Sequence, residues 1–523
     1  MMQEIRDFDV IVVGGGNAAL VAALTAYDAG ARVAVLEAAN KSERGGNSRF
    51  AGAIFRIPHN GLDDIKPLLC EEALPKAKRC TVQPYTHEDY AADIMHTSKG
   101  KADPGLVKTL LDNSRETVKW MQEKGVHWQL TLSKFFEEDQ IDKGVLDIPA
   151  GVAMMAVGEG VGLTDDLWAA VERTSITVFY STPASDLLTL GDHILGVKTR
   201  LADVNAAFYG QVILACGGFE ANPRLRRQFL GDGWDLVVVR GTRFNTGLML
   251  EKAIAAGAQS FGHWGGAHAT PQDLDAPRIG DLRMTDKKSR YSYPFGISVN
   301  IHGLRFMDEG EEHFGLTYAK TGAAVGRQPE TKAFQIFDQK CLNLLEPRYS
   351  TGTPVVADTM VELATKLGIN VTNFVNTVDE YNAACNPIHP FDALHLDGNS
   401  TGNSLVILKS NWALPLDKGP FVAYAVTVGI TFTYGGLRTD PNAQVLNNEG
   451  NHMSGLWAVG EMQGGLFYFN YPGGAGLTKG AVFGRIAGRL AAERARKIGK
   501  KSEDCKTIDE ILSVTNINSN PHP

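Results

Sequence analysis

Two glycine-rich loops, each leading into a helix of small residues, stand at opposite ends of this chain. Together they restrict its fold more than any other feature. The first, Gly14-Gly15-Gly16-Asn17-Ala18-Ala19, follows the apolar run Phe8-Asp-Val-Ile-Val-Val13 and opens an alanine-rich segment. The second, Tyr471-Pro-Gly-Gly-Ala-Gly476-Leu477, follows Gly455-Leu-Trp-Ala-Val-Gly460-Glu461 and runs on through Gly484 and Gly488. Each reads as strand, turn and helix start, an arrangement that turns backbone N–H groups toward a phosphate or a polar ring. A chain that uses both is expected to bring its two ends to a single site.

The N-terminal unit carries the fuller signature. Arg32-Val-Ala-Val-Leu36 supplies a second strand, closed by Glu37. The glycine spacing is the GxGxxA variant of the dinucleotide fingerprint. Gly14 makes the tight turn, Gly16 admits a pyrophosphate, and Ala19 permits close helix–strand packing. The helix start at Asn17 and Ala18 adds partial positive charge. Glu37, 21 residues after Gly16, is placed for ribose hydroxyls, with Ala38 beside it. The polar loop Arg44-Gly45-Gly46-Asn47-Ser48 lies just beyond and is expected to touch the same cofactor. Gln211-Val-Ile-Leu-Ala215-Cys-Gly217-Gly218-Phe219 is another buried strand ending in glycines. Between 86 and 125 the apolar spacing predicts helix, with Trp120 and Met121 in the core.

Composition excludes several functions. A net charge of −8 argues against nucleic acid. No run of about 18 apolar residues predicts a membrane span, and the acidic N-terminus does not read as a signal peptide. Six cysteines, at 70, 80, 216, 341, 385 and 505, show no CxxC spacing. Free thiols in a reducing, cytoplasmic compartment are expected, without a metal site.

Four motifs in order, the N-terminal fingerprint, Ala215-Cys-Gly-Gly-Phe219, Gly303-Leu-Arg-Phe-Met-Asp-Glu309 and Ala458-Val-Gly-Glu461, resemble the flavoprotein superfamily of fumarate reductases and succinate dehydrogenases. Ketosteroid Δ1-dehydrogenases belong to it as well. Other strings are similar to the tricarballylate dehydrogenase branch: Arg44-Gly-Gly-Asn-Ser48, Arg240-Gly-Thr-Arg-Phe-Asn245-Thr-Gly247, Lys409-Ser-Asn-Trp-Ala413, Gly429-Ile-Thr-Phe-Thr-Tyr-Gly-Gly436 and Tyr471-Pro-Gly-Gly-Ala-Gly476. The resemblance implies an α/β fold, a Rossmann-like FAD-binding domain split by an α+β capping domain. The expected division is 1–260 and 419–500 for the two parts of the FAD domain, 261–418 for the cap, and 501–523 as a tail. It implies FAD held by the N-terminal fingerprint, Arg44–Ser48, Ala215, Gly217, Gly218, Asn245 and Gly247. Glu461 is implied for the cofactor's sugar chain, and Gly474, Gly476 and Leu477 for the flavin ring. Because 44–56 contains no His, Cys or Tyr, the FAD is expected to be non-covalent.

The implied chemistry interconverts a saturated C–C bond and an alkene on a small-molecule substrate, with a separate electron donor or acceptor. It needs a positioned proton-transfer group and anchors for a carbonyl or carboxylate. His268 falls where fumarate reductases keep a substrate-binding histidine. His313 falls where their catalytic arginine stands, with Tyr318 and Lys320 shortly after. Phe432 and Tyr471 replace a histidine and the clamping arginine, and Tyr471-Pro-Gly resembles ketosteroid dehydrogenases, where this tyrosine polarises a carbonyl. A carboxylate clamp is expected among Arg243, Arg283, Lys287, Lys288 and Arg290, with Arg290 foremost. Two alternatives stay open: a ketosteroid-type dehydrogenase or ene-reductase acting on an apolar carbonyl compound, and a non-catalytic flavin-binding redox partner.

Overall fold

The computed structural model describes residues 4–135, 146–201 and 204–502, so the expected tail at 501–523 lies almost wholly outside the described residues. The chain opens as β1 (Glu4–Val13), α1 (Asn17–Asp28) and β2 (Val33–Leu36). β1 and β2 run parallel, Val10 opposite Val33 and Val13 opposite Leu36. Val10, Ile11, Val12 and Val13 are all buried, as a central parallel strand covered on both faces requires. Val204–Leu214 lies parallel on the other side of β1, and His452–Ala458 runs parallel to that strand. Thr177–Phe179 extends the opposite edge beside β2. Three antiparallel strands, Ala184–Leu190, His193–Leu201 and Gln444–Leu446, complete an eight-stranded sheet.

The two glycine-rich units meet across one helix pair. α1 packs along the C-terminal helix Ala475–Ser502. A Cβ at Gly484 would stand 2.7 Å from the carbonyl oxygen of Ala18, and one at Gly488 only 2.3 Å from that of Ala22. Small residues are therefore a condition of this approach. The Asn17 amide donates to the Leu477 carbonyl oxygen at 2.9 Å, joining the two helix starts. A further helix, Pro104–Glu123, is capped by Asp103, with Pro104 in its first turn. It packs on the C-terminal helix with Met121 buried, and Trp120 lies beneath the Arg485 guanidinium. No described helix is long and apolar enough to cross a membrane.

A second, six-stranded sheet is built on the long strand Phe421–Thr433. Ala267–Asp273, Lys332–Phe337 and Val355–Ala357 pair with it antiparallel, and Val238–Val239 parallel. Sequence groups 419 onward with the second part of the first domain. The structure instead sets Phe421–Thr433 in this second sheet, because a 13-residue strand of mostly buried residues needs partners along both edges. The helix Tyr318–Gly326 lies on Ala267–Asp273 so closely that a Cβ at Gly322 would meet the Ala269 backbone at 2.3 Å. That contact fixes the start of the helix, and with it Tyr318. The molecule is thus α/β, with its parallel strands ending on one edge.

Candidate active site

One cavity runs along that edge, lined from the carboxyl ends of β1, β2, Val204–Leu214 and His452–Ala458 to the second sheet. This is where ligands of open α/β sheets bind. At one end Gly14 takes a positive φ of 117°, and a Cβ there would stand 2.4 Å from the Ala215 carbonyl oxygen. Gly16 precedes α1 without a side-chain cap, so the first N–H groups of the helix face the cavity. The Asn17 N–H is bound there to Ser48 Oγ at 3.0 Å. Glu37, 5% exposed, accepts from the Ala39 N–H at 2.7 Å. Burial raises its carboxyl to about 7 against the pull of the Ala39 and Ala38 N–H groups. Ala18, Ala38, Ala215, Gly217, Asn245 and Gly247 line the same stretch.

Midway, the buried Glu220 and the half-buried Glu461 face each other. Asn47 donates to Glu220 at 2.6 Å, Asn245 donates to the same oxygen, and Glu461 accepts from the Thr433 N–H and hydroxyl at 2.6 and 2.9 Å. Burial first, and the neighbouring Glu461 second, raise Glu220 well above the carboxylate range. Gly46, Gly474, Gly476 and Leu477 complete this wall.

Three residues of the expected cradle stand off the cavity. Arg44 donates to Glu172 and to the Tyr180 hydroxyl and lies over the Trp168 ring, 4.6 Å from its centroid. Gly45 faces Arg49 and Thr164. Gly218 backs onto Glu461 and Thr433, where a Cβ would clash at 2.1 and 2.2 Å. Arg44 thus braces the loop whose next residues, Gly46, Asn47 and Ser48, reach the cavity.

At the far end the Tyr318 and Tyr471 hydroxyls are hydrogen-bonded to each other. His268 stands against both rings, at 5.0 and 4.9 Å between centroids, and against Phe432 at 5.1 Å. It is 3% exposed, and neither ring nitrogen has a hydrogen-bond partner among the described residues. Burial, reinforced by Arg240 and opposed by Asp286, holds it well below its ordinary range. It is a neutral imidazole on the cavity wall. Strand pairing places it, since His268 lies opposite Phe432 in the second sheet. Tyr434 and Phe467 extend the aromatic wall.

His313 lies elsewhere. Its Nδ1 accepts from the Gly315 N–H at 3.2 Å, capping the turn Phe314–Leu316. Burial, Arg56 and His395 push it down to about 4. That turn swings the chain so that Tyr318, five residues on, lines the cavity where His313 does not. Arg290 is fully buried against Asp273, at 2.6 Å, and the carbonyl oxygens of Lys287, Ser289 and Arg348. Arg243 and Arg283 are exposed and paired with Glu43 and Asp281, Lys287 is exposed, and Lys288 pairs with Asp275. None of the five expected clamp residues lines the cavity. The cations that do are Lys134, Arg240, Arg348 and Lys479. Arg240 carries two signals in the sequence: it opens the string Arg240-Gly-Thr-Arg-Phe-Asn245-Thr-Gly247 and directly follows the apolar run Val237-Val238-Val239. Lys134 and Arg348 lie in the short helical turns Leu132–Phe135 and Pro347–Thr351, where the sequence offers none.

A family model described as an FAD binding domain matches residues 9–477. The chain belongs to that family, and FAD is its cofactor. It is 26% identical to an NADH:fumarate oxidoreductase of Klebsiella pneumoniae (strain 342), over 94% of this chain and 48% of that protein. It is also 26% identical to a vinyl phenol reductase of Lactiplantibacillus plantarum, over 93% and 96% of the two chains. The chain thus spans about half the length of the first of these relatives. Its fold resembles that of a 3-ketosteroid Δ1-dehydrogenase from Sterolibacterium denitrificans, with a TM-score of 0.70 at 19% identity over 94% of this chain and all of that one.

The residues fit FAD. The uncapped start of α1 and the left-handed turn at Gly14 suit a pyrophosphate, and the buried Glu37 suits ribose hydroxyls. Asn17 Oδ1 and Glu220 Oε2 are buried without partners among the described residues, as expected of polar atoms that meet a cofactor's hydroxyl chain. The start of the C-terminal helix at Ala475 supplies positive potential for a reduced flavin ring.

Proposed function

We propose that this chain is an FAD-dependent oxidoreductase acting on a CH–CH bond next to a carboxylate or carbonyl, similar to tricarballylate dehydrogenase. Its FAD is held non-covalently, its electrons pass to or from a separate partner, and its setting is cytoplasmic. The Tyr318–Tyr471 hydroxyl pair beside His268 carries this reading. When bound, FAD takes or supplies the hydride. Burial raises both phenols, so each keeps its proton at neutral pH. In the reducing direction the pair delivers a proton to the carbon adjacent to the hydride position; in the oxidising direction one phenol has to lose its own proton before it can take the substrate's. His268, neutral and unpartnered, orients the substrate oxygen. The aromatic wall of Phe432, Tyr434, Phe467 and Tyr471 closes the site to water.

That same wall favours a second reading, a ketosteroid-type dehydrogenase or ene-reductase. Stopped-flow spectroscopy of the holoenzyme separates the two. Tricarballylate bleaches the flavin under the first and a 3-ketosteroid under the second. Failure of both, together with failure of the reduced enzyme to be reoxidised by fumarate or vinyl phenol, leaves a flavin-binding protein without this chemistry.

A further inference from the structure

Resting on the reading above, we propose that the charged end of the cavity, Arg240 and Arg348 with Lys134 around Asp286, is the subsite for a substrate carboxylate. Three cations from distant parts of the chain converge there on one carboxylate. Arg240 Nε reaches Asp286 Oδ1 at 3.0 Å, while Arg348 Nη1 and Lys134 Nζ reach Oδ2 at 2.8 and 3.3 Å. Arg348 also donates to Glu346 at 3.1 Å, and Lys134 to Glu159 at 2.7 Å. All of these side chains except Glu159 are 10% exposed or less.

The charges do not balance inside. Burial raises the Glu346 carboxyl, with Arg348 and Lys134 opposing, and Glu159 sits at the rim. Three buried cations thus face two buried carboxylates, Asp286 and Glu346, the third partner Glu159 being 37% exposed, and Arg240 and Arg348 hold Asp286 ionised against its burial. A surplus of buried cations beside a cavity attracts an anion.

Unpartnered polar atoms supply the independent observation. The Tyr291 hydroxyl is buried, has no hydrogen-bond partner among the described residues and lies on the cavity wall. Its ring sits under the Arg348 guanidinium, 4.7 Å from the centroid, and 5.0 Å from the Tyr318 ring. The nearby Ser289 hydroxyl already donates to Asp286 at 2.9 Å. Tyr291 and His268 thus leave hydrogen-bonding capacity facing the space between the cations and the Tyr318–Tyr471 pair. A carboxylate in that space accepts from Tyr291 and the guanidiniums, while the substrate's carbon body meets the aromatic wall and the tyrosine pair. The arrangement replaces the clamp that Tyr471 removes, and it uses none of Arg243, Arg283, Lys287, Lys288 and Arg290.

The test uses oxidised FAD-loaded protein titrated with trans-cinnamate, fumarate and tricarballylate, each against its methyl ester. Binding is read by flavin difference spectra and by calorimetry, so turnover is not required. At least one acid is expected to bind roughly tenfold or more tightly than its ester. Tyr291→Phe and Arg348→Lys, which change one hydroxyl and one fork geometry, are expected to cut the acid's affinity roughly tenfold while sparing the ester's. Equal binding of acids and esters overturns the proposal, as does an absence of acid binding or an acid preference untouched in both variants. An acid preference that the variants erode, in a protein that turns over no alkene, supports the subsite while removing the reaction reading.

Discussion

Tyr318 and Tyr471 lie 153 positions apart, yet their hydroxyls share one hydrogen bond on the cavity wall. Tyr318 opens a helix on the second sheet, and Tyr471 lies in the loop before the C-terminal helix that packs on α1. The contact therefore joins the two halves of the architecture at the point where the chemistry is proposed. Tyr318→Phe and Tyr471→Phe are each expected to lower kcat roughly 10²–10⁴-fold, with FAD content unchanged. The double variant is expected to lose little more, because the two groups act as a unit. Steady-state kinetics with the flavin-to-protein ratio checks this.

His268 is neutral throughout the physiological range, since burial and Arg240 keep it well below its ordinary value. The pH profile of kcat/KM should show no limb near 6.5 that His268→Asn abolishes. The variant is expected to lower kcat/KM roughly tenfold or more and leave the shape of the profile unchanged. Disappearance of such a limb would make His268 a proton-transfer group instead.

Glu37 gives the cofactor-free protein a pH dependence of known sign. Its carboxyl titrates at about 7 when folded, against 4.5 for a glutamate free in water. Between these values the native state holds a proton that the unfolded chain has released. Its contribution to stability is thus complete below 4.5 and lost as pH rises through about 7. Thermal melts of the apoprotein should fall across that window. Glu37→Gln should flatten the slope, and FAD, whose ribose hydroxyls would donate to the carboxylate, should reduce it.

The seam between α1 and the C-terminal helix tolerates no added side chain at Gly488, where a Cβ would stand 2.3 Å from the Ala22 carbonyl oxygen. Gly488→Val is expected to cost about 1–3 kcal/mol or more, with a lower Tm. It should also weaken FAD binding, because the same helix pair carries both glycine-rich loops. Denaturant melts with FAD titration measure both effects.

Arg290 separates a structural ion pair from a substrate clamp. It is fully buried on Asp273, so Arg290→Met leaves a buried carboxylate unpaired and is expected to cost about 3–5 kcal/mol. A soluble variant of normal stability with a raised KM would restore Arg290 to the substrate site.

The cofactor cradle is legible in the linear chain because its determinants are local. A tight turn needs Gly14, a pyrophosphate needs backbone N–H groups at a helix start, and close helix packing needs Gly484 and Gly488. These demands fall on residues a few positions apart, so spacing alone records them, and a motif resemblance names the cofactor. The reacting end is only partly legible. His268 and Tyr471 stand out in the sequence and do line the cavity. Motif spacing favours His313 over Tyr318, five residues on, because the turn Phe314–Leu316 redirects the chain in a way no spacing rule encodes. Arg290 looks like a clamp from its charge and neighbours, and only burial against Asp273 shows otherwise. The cluster of Lys134, Arg240, Asp286 and Arg348 exists only in space. Its members come from four separate segments that only the tertiary fold brings together. By itself the sequence determined the fold class, the cofactor and the joining of the two chain ends, because backbone geometry is written locally. Tertiary structure decided which charged and phenolic side chains face the substrate, because burial and pairing depend on contacts between segments far apart in the chain.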